Sequence, residues 1–349
     1  MGTLKVGVIG CGSIAQHRHL PEYALNQQVE LVAVCDINEE RANQVAERYG
    51  IKAYTSYEEL LQSGEVDVVS VCTPNYLHAP ISIAALNAGL HVLCEKPMAT
   101  SKEEAEAMIE AAEKSGKKLM IGHNQRFVPS HQKARQLIKN GEIGKIYSFR
   151  TTFGHGGPEQ WSVNGKESWF FQKEKAFIGA MGDLGVHKTD LLRYVLGEEI
   201  TEVGAFVETS AKSFADVDDT AVCVLKTESG IIGTLAASWA YVSGEDNATI
   251  IYGEKAILRL EDHPAYSLVV QYATGEVVNY ELGKIQSNAT GGQNNSHIVE
   301  QFVDSIIQDK EPPVTGEEGM KSLQVILAAL QSQDTKQIVS LQKQGVSVK

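Results

Sequence analysis

No stretch of about 18 uninterrupted apolar residues occurs in the chain, so a bilayer-crossing helix is not expected and the protein reads as soluble, with no membrane partner. Basic residues are in the minority: 31 Lys and Arg against 44 Asp and Glu leave a formal net charge of −13 at pH 7. That charge repels phosphate backbones, and no basic cluster with interleaved aromatics offsets it, so no nucleic-acid partner is expected. Cysteine is sparse. The five cysteines are odd in number and none stands in a CxxC or Cys/His ligand spacing, which supports neither a disulfide framework nor a structural metal site. Cys11, Cys35, Cys72 and Cys94 lie at or just beyond predicted strand ends and read as small buried hydrophobes. There is no internal repeat and no low-complexity segment. The first strand-like run begins at Leu4, leaving no room for a secretory leader, so a cytoplasmic location is expected. On that expectation the glycosylation patterns at Asn247-Ala248-Thr249, Asn288-Ala289-Thr290 and Asn294-Asn295-Ser296 are coincidental surface residues.

What is present points to two domains, the common division for 349 residues. From Leu4 to Gly122 short apolar runs alternate with amphipathic helix-length segments, the pattern of a parallel sheet covered on both faces. Its strands are predicted at Leu4 to Ile9, Val29 to Cys35, Val66 to Cys72, His91 to Cys94 and Leu119 to Ile121. A helix follows Thr100: Thr100 or Ser101 can cap it, Glu103 or Glu104 can close a capping box, and Gly116 ends it. Another spans roughly Ser130 to Asn140 and leads into a strand at Lys145 to Thr152. From about Ile200, consecutive strands joined by short turns predict an antiparallel meander. Two helices close the chain, near Gln293 to Gln308 and Gly316 to Gln333, separated at Glu311-Pro312-Pro313.

Gly10-Cys11-Gly12-Ser13-Ile14-Ala15 directly follows the first strand and opens a helix. A tight turn needs Gly10, close approach of backbone to a pyrophosphate needs Gly12, and a small residue at Ala15 lets helix pack on strand. Asp36 ends the second strand, where a carboxylate can accept hydrogen bonds from an adenosine ribose; together these indicate dinucleotide binding. A carboxylate there repels a 2′-phosphate, and Ile37 and Asn38 bring no cation, so NAD is favoured over NADP, with Arg41 leaving the latter open. Thr73-Pro74-Asn75 and His78 follow the strand Val66 to Cys72 at its carboxyl end. Asn75 either bonds the cofactor or caps the next helix, and His78 reads as a surface or helix-start residue. Glu95-Lys96-Pro97 follows the next strand end, where a lysine ammonium beside a substrate hydroxyl stabilises developing alkoxide.

The segment Gly179 to Asp190 opens an amphipathic helix ending near Gly197. Asp183 and His187 are four apart and share a face, so a carboxylate can orient an imidazole in a proton relay. Asp183 as helix N-cap, His187 as a core histidine and the pair as a half-built metal site are the competing readings, the last the weakest because no further ligand stands at fixed spacing.

These motifs, with Gly122-His123-Asn124-Gln125-Arg126-Phe127, resemble the glucose-fructose oxidoreductase / inositol dehydrogenase (Gfo/Idh/MocA) family across essentially the whole chain. The resemblance implies an α/β Rossmann domain over 1–123 that binds the cofactor, followed over 124–349 by an α+β domain with a large, open, mainly antiparallel sheet for substrate binding and assembly into a homodimer or homotetramer. It implies Lys96 as the active-site lysine, Asp183 as the substrate-binding aspartate and His187 as the general acid/base. Gly10, Gly12, Ser13, Ile14, Asp36, Thr73, Pro74, Asn75, His78, Glu95, Lys96, Asn124 and Gln125 are the expected cofactor contacts. Arg126, His155, Trp161 and Tyr241 join Lys96, Asp183 and His187 as expected substrate contacts, and Trp169 falls in the same kind of region. The glycine-rich segment Gly154 to Trp161 suits a loop whose aromatics stack on a sugar ring. The expected activity is NAD-dependent oxidation of a secondary hydroxyl of a sugar, inositol or related polyol, with no metal. An NAD-dependent glycosidase acting by transient oxidation and a non-catalytic ligand sensor are the alternatives.

Overall fold

A computed structural model describes residues 3–283, 285 and 296–341. Asn288-Ala289-Thr290, Asn294 and Asn295, and the expected helix start at Gln293 lie outside the described residues. The chain forms two compact units: one comprises Met1–Asn124, Pro158–Phe177 and the described part of Gln286–Leu323, the other Gln125–Gly157, Ile178–Ile285 and the described part of Gln324–Lys349.

The first unit is built on a parallel sheet of β1 (Leu4–Ile9), β2 (Val29–Cys35), β3 (Lys52–Tyr54), β4 (Val68–Val71), β5 (His91–Cys94) and β6 (Leu119–Ile121), in the order β3-β2-β1-β4-β5-β6. Every residue of β4 is buried, as two-sided coverage demands, which explains why it is nearly all apolar, with Ser70 as the exception. The edge strand β3 was not expected: Lys52-Ala53-Tyr54 is short and, unlike Leu119 to Ile121, has no apolar run to mark it. Strand order reverses between β1 and β4, so the crevice at their carboxyl ends is where an open α/β sheet takes a ligand.

Helices α1 (Leu20–Leu25), α2 (Glu39–Tyr49), α3 (Tyr57–Gln62), α4 (His78–Asn87) and α5 (Lys102–Ser115) connect these strands. Helix α5 has the boundary chemistry read from its sequence. Ser101 Oγ accepts the Glu104 N–H at 3.1 Å, Glu104 Oε2 accepts from the Thr100 N–H and hydroxyl, and Gly116 closes it at φ 66°.

Division into two consecutive stretches does not describe this unit, because later segments return to it. The Ile121 N–H donates to Val314 O at 3.0 Å, continuing the β6 edge. Helix α9 (Ile298–Ile307) buries Val299, Phe302 and Val303, and Glu22 of α1 accepts from the N–H groups of Ser296 and Val299. Helix α10 (Gly316–Thr335) starts in this unit and ends in the other. The segment Pro158–Phe177, which includes the short helix α7 (Lys173–Ala176), likewise belongs here.

The second unit carries a nine-stranded sheet ordered β14-β13-β12-β11-β7-β10-β9-β8-β15. Its strands are β7 (Ile146–Gly154), β8 (Ile200–Glu208), β9 (Thr220–Thr227), β10 (Ile232–Ser238), β11 (Thr249–Gly253), β12 (Ala256–Leu260), β13 (Leu268–Tyr272), β14 (Val277–Tyr280) and β15 (Val339–Ser340). The expected meander is real but split: β7 inserts between β10 and β11, parallel to the first and antiparallel to the second. Gly233 permits that insertion, since a Cβ there would stand 2.3 Å from the Phe149 ring it faces. One sheet face buries Phe149, Leu225, Leu235 and Leu258. Helices α6 (Pro129–Lys139) and α8 (Val186–Leu196) pack against each other, and α6 also meets β12. Asn247 and Thr249 are buried rather than at the surface, because the Lys188 ammonium of α8 donates to Asn247 O at 2.7 Å and lies 3.3 Å from the Thr249 hydroxyl.

Candidate active site

In the first unit, Gly10 adopts φ +95°, and a Cβ there would meet Cys72 O at 2.5 Å, so glycine is required where β1 turns. The Cβ position of Gly12 faces open space, leaving its backbone approachable, and the Gln16 N–H bonds Gly12 O at 3.1 Å as the helix begins. This turn suits a pyrophosphate. Ser13 is buried and its hydroxyl donates to Trp161 O at 2.9 Å. Ile14 stands at the start of the π-helical stretch Ala15–His19. Asp36 Oδ2 accepts the Cys11 N–H at 2.8 Å and Oδ1 the Asn38 N–H at 2.9 Å, fixing the carboxylate at the end of β2. Arg41 does bring a cation beside it, at 3.5 Å, and is itself held by Asn164 Oδ1 at 3.1 Å.

The turn after β4 departs from the sequence reading. Asn75 does not cap a helix: Pro74 precedes a short 3₁₀ turn, and the Asn75 amide donates to Ala176 O at 2.8 Å. Thr73, whose carbonyl His78 contacts, begins the turn. His78 starts α4 but is buried, not at the surface; its Nδ1 lies 2.7 Å from Pro97 O and its Nε2 2.8 Å from Thr73 O. Burial lowers its pKa, and the ring pins the Thr73 turn to the Lys96-Pro97 turn.

Glu95, expected to touch cofactor, points into the interior instead. Its Oε1 takes Arg18 at 3.1 Å and His19 at 2.9 Å, and its Oε2 accepts the Lys96 N–H at 3.2 Å. Burial by itself would raise its pKa, but the His19 hydrogen bond and the Arg18 charge outweigh it and hold the carboxyl well below the usual range. Glu95 thus anchors the turn that presents Lys96, which is half-buried and joined to Pro97 by a cis peptide bond. Asn124 Oδ1 is buried without a hydrogen-bond partner among the described residues, and an acceptor of this kind suits the amide of a nicotinamide. Gln125, whose Oε1 is also buried without a partner among the described residues, is the first residue of the second unit. The first unit's residues therefore fit a nicotinamide dinucleotide.

In the second unit, Asp183 lies inside a π-helical stretch, Met181–Gly185, that runs directly into α8 carrying His187. Asp183 is not the N-cap. That role falls to Asp218, whose carboxylate accepts the N–H groups of Gly179 at 2.7 Å and Met181 at 2.8 Å. Burial pushes Asp218 up to about 6, against the pull of those backbone bonds. Asp183 Oδ2 accepts from Trp239 Nε1 at 3.2 Å, and both Asp183 and His187 are buried. Phe153 sits beside His187 at 5.9 Å between ring centroids and meets His155 edge-on at 6.0 Å. His155 is buried, with Nδ1 accepting the Gly157 N–H at 2.9 Å, so the glycine-rich segment opens as an ordered turn. Gly154 lies under the Tyr241 ring, where any Cβ would clash at 2.2 Å. Asp183, His187, His155 and Tyr241 thus gather at one end of β7 and β10 around Phe153 and Trp239.

Two expected substrate contacts have partners of their own within the fold. Arg126 is buried in a bidentate pair with Asp190, Nε at 2.8 Å and Nη2 at 2.6 Å, a structural link to α8. Trp161 belongs to the first unit because its segment folds onto it through Ser13, Arg41 and Asn75, and its ring meets Phe170 at 5.1 Å; Trp169 stacks on Phe170 at 3.9 Å. Trp239, Phe153 and Asp218 were missed. Nothing local marks them, since each matters only for what it meets across the fold. Among the described residues no group of three or more His, Cys, Asp or Glu could hold a metal ion, and no helix is long and apolar enough to cross a membrane.

The sheet order, glycine turn and strand-end carboxylate define the first unit as a dinucleotide-binding Rossmann fold. The model of an oxidoreductase family with an NAD-binding Rossmann fold matches residues 4–123, and that of the GFO/IDH/MocA C-terminal domain matches residues 131–259. The chain belongs to the Gfo/Idh/MocA family and is an NAD(P)-dependent oxidoreductase. It is similar to myo-inositol 2-dehydrogenase of Thermotoga maritima, 29% identical over 97% of this chain and 99% of that one. It is also similar to levoglucosan dehydrogenase of Pseudarthrobacter phenanthrenivorans, 32% identical over 68% of each chain. A solved structure of levoglucosan dehydrogenase in complex with NADH matches with a TM-score of 0.85 at 26% identity, over 97% of this chain and 99% of that chain.

Proposed function

We propose that this protein oxidises a secondary hydroxyl of a sugar, inositol or related polyol with NAD. The observation that carries the reading is the gathering of buried Asp183, His187 and His155 with half-buried Tyr241 at the end of β7 and β10, in a chain whose other unit has the dinucleotide turn. Its relatives' names, inositol and levoglucosan dehydrogenases, support the substrate class.

A bound nicotinamide ring supplies the hydride acceptor. His187 takes the hydroxyl proton as the general base. Asp183, held by the Trp239 indole, orients the hydroxyl. Lys96, presented by the Glu95 and His78 anchors, stabilises the developing alkoxide with its ammonium. NAD is preferred to NADP because the fixed Asp36 carboxylate repels a 2′-phosphate, although Arg41 lowers that repulsion. A cytoplasmic location belongs to the same reading. So does a homodimer or homotetramer, supported by the open face of the large sheet, where Phe206, Val222, Val224 and Ile232 stand about half exposed or more.

The test is incubation with NAD+ and a panel of inositols, aldoses and sugar phosphates while following reduced cofactor. One or more polyols should be oxidised, and Lys96→Ala and His187→Ala should each lose on the order of 100-fold or more in kcat/KM. Wild-type rates in either variant would remove that residue from the mechanism.

A further inference from the structure

The chemistry above leaves unused a buried aspartate pair, Asp218 and Asp219, in the connection between β8 and β9. We propose that Asp218 is a positioning residue that sets Asp183 and His187 against the substrate hydroxyl; this rests on the dehydrogenase reading of the same site. The segment Gly179-Ala180-Met181 opens the π-helical stretch with no local side chain to cap it. Its N–H groups are instead taken by one distant residue: Gly179 and Met181 by the two Asp218 carboxylate oxygens, at 2.7 and 2.8 Å, and Ala180 by Asp218 O at 2.9 Å. The approach is so close that a Cβ at position 179 would stand 1.8 Å from Asp218 O, so glycine is required there.

A second line of bonds starts from the neighbouring residue. Asp219 O accepts the Trp239 N–H at 2.7 Å, and Trp239 Nε1 donates to Asp183 Oδ2 at 3.2 Å. Asp183 is therefore held through its own backbone segment and through the indole, and both supports end on adjacent residues. Asp219 also accepts the N–H groups of Ser210, Ala211 and Lys212, and the Lys212 ammonium donates to Gly156 O, next to His155. The cap comes from outside the segment, so the backbone that carries Asp183 is fixed by Asp218 and not by Asp183 itself.

Asp218→Asn keeps the shape and one acceptor oxygen; Asp218→Ala removes both. With the polyol that the wild type oxidises, kcat/KM should fall on the order of 10-fold for the first and 100-fold for the second, with polyol KM raised and KM for NAD+ unchanged. The kinetic isotope effect with polyol deuterated at the reacting carbon should rise, whereas loss of folded protein moves neither it nor polyol KM. An unchanged isotope effect together with an unchanged polyol KM overturns the proposal. Amide hydrogen exchange over 179–187, which needs no turnover, should quicken on the order of 10-fold in Asp218→Asn while α6 is unaffected; equal exchange overturns it. Should neither variant fold, slow exchange at the wild-type Gly179 and Met181 amides supports the proposal and solvent-like exchange overturns it. Absence of polyol turnover in wild type alongside the exchange change would sink the dehydrogenase reading and leave the structural clamp standing.

Discussion

Lys188 lies wholly buried on α8, its ammonium on Asn247 O and 5.8 Å from the Phe153 ring centre. Burial lowers its pKa to about 7, with Glu261, Glu245 and Asp246 only partly restoring it. The ordinary lysine value in an unfolded chain is about 10.4, so between the two the unfolded chain holds a proton that the folded protein has released. Stability must therefore rise with pH across that window, by up to about 1.4 kcal/mol per unit. Lys188→Met, which fills the space without a charge, should flatten the slope of unfolding free energy between about pH 7.5 and 9.5. Equal slopes from urea titrations of the two proteins would show that Lys188 stays protonated when folded.

At the scale of elements, helix boundaries differ in how far away their chemistry comes from. Helix α5 is capped by the adjacent Ser101, so its start was visible from four residues of sequence. Ser101→Ala should cost about 1 kcal/mol, seen as a lower urea midpoint with unchanged m-value. A midpoint shift too small to measure would mean that the Thr100–Glu104 bonds suffice. The helical segment bearing Asp183 is capped by a residue 37 positions later in the chain than Met181, and no local pattern announces that. Likewise Glu95 and Arg126 sit in stretches that read as ligand contacts, yet their charges are spent on Arg18 and His19, and on Asp190. Breaking such a buried pair leaves an uncompensated charge, which is why these side chains are fixed rather than available.

At the scale of the molecule, the large sheet alternates buried and exposed residues along β9, with Val222 and Val224 on the exposed side and Phe206 of β8 directly opposite Val222. A monomer gains nothing from apolar residues on that face, whereas a second copy covering it does. The double variant Phe206→Lys, Val224→Lys should shift the species seen by light scattering toward a monomer while leaving the far-UV circular dichroism unchanged. An identical mass for variant and wild type would show that this face is not an interface between copies. At this scale too the linear order of domains misleads, since Pro158–Phe177 and the start of α10 return to the first unit.

The features determined by sequence alone are those whose physics is local: the glycine turn at Gly10, the carboxylate ending β2, the nearly all-apolar β4, and the caps of α5. Each depends on backbone conformations and bonds within a few residues. Tertiary structure decided which buried charges pair, where β7 enters the sheet, which unit owns Trp161, and what holds Asp183. Those outcomes rest on contacts between residues far apart in the chain, where a side chain's role depends on the partner that packing brings to it.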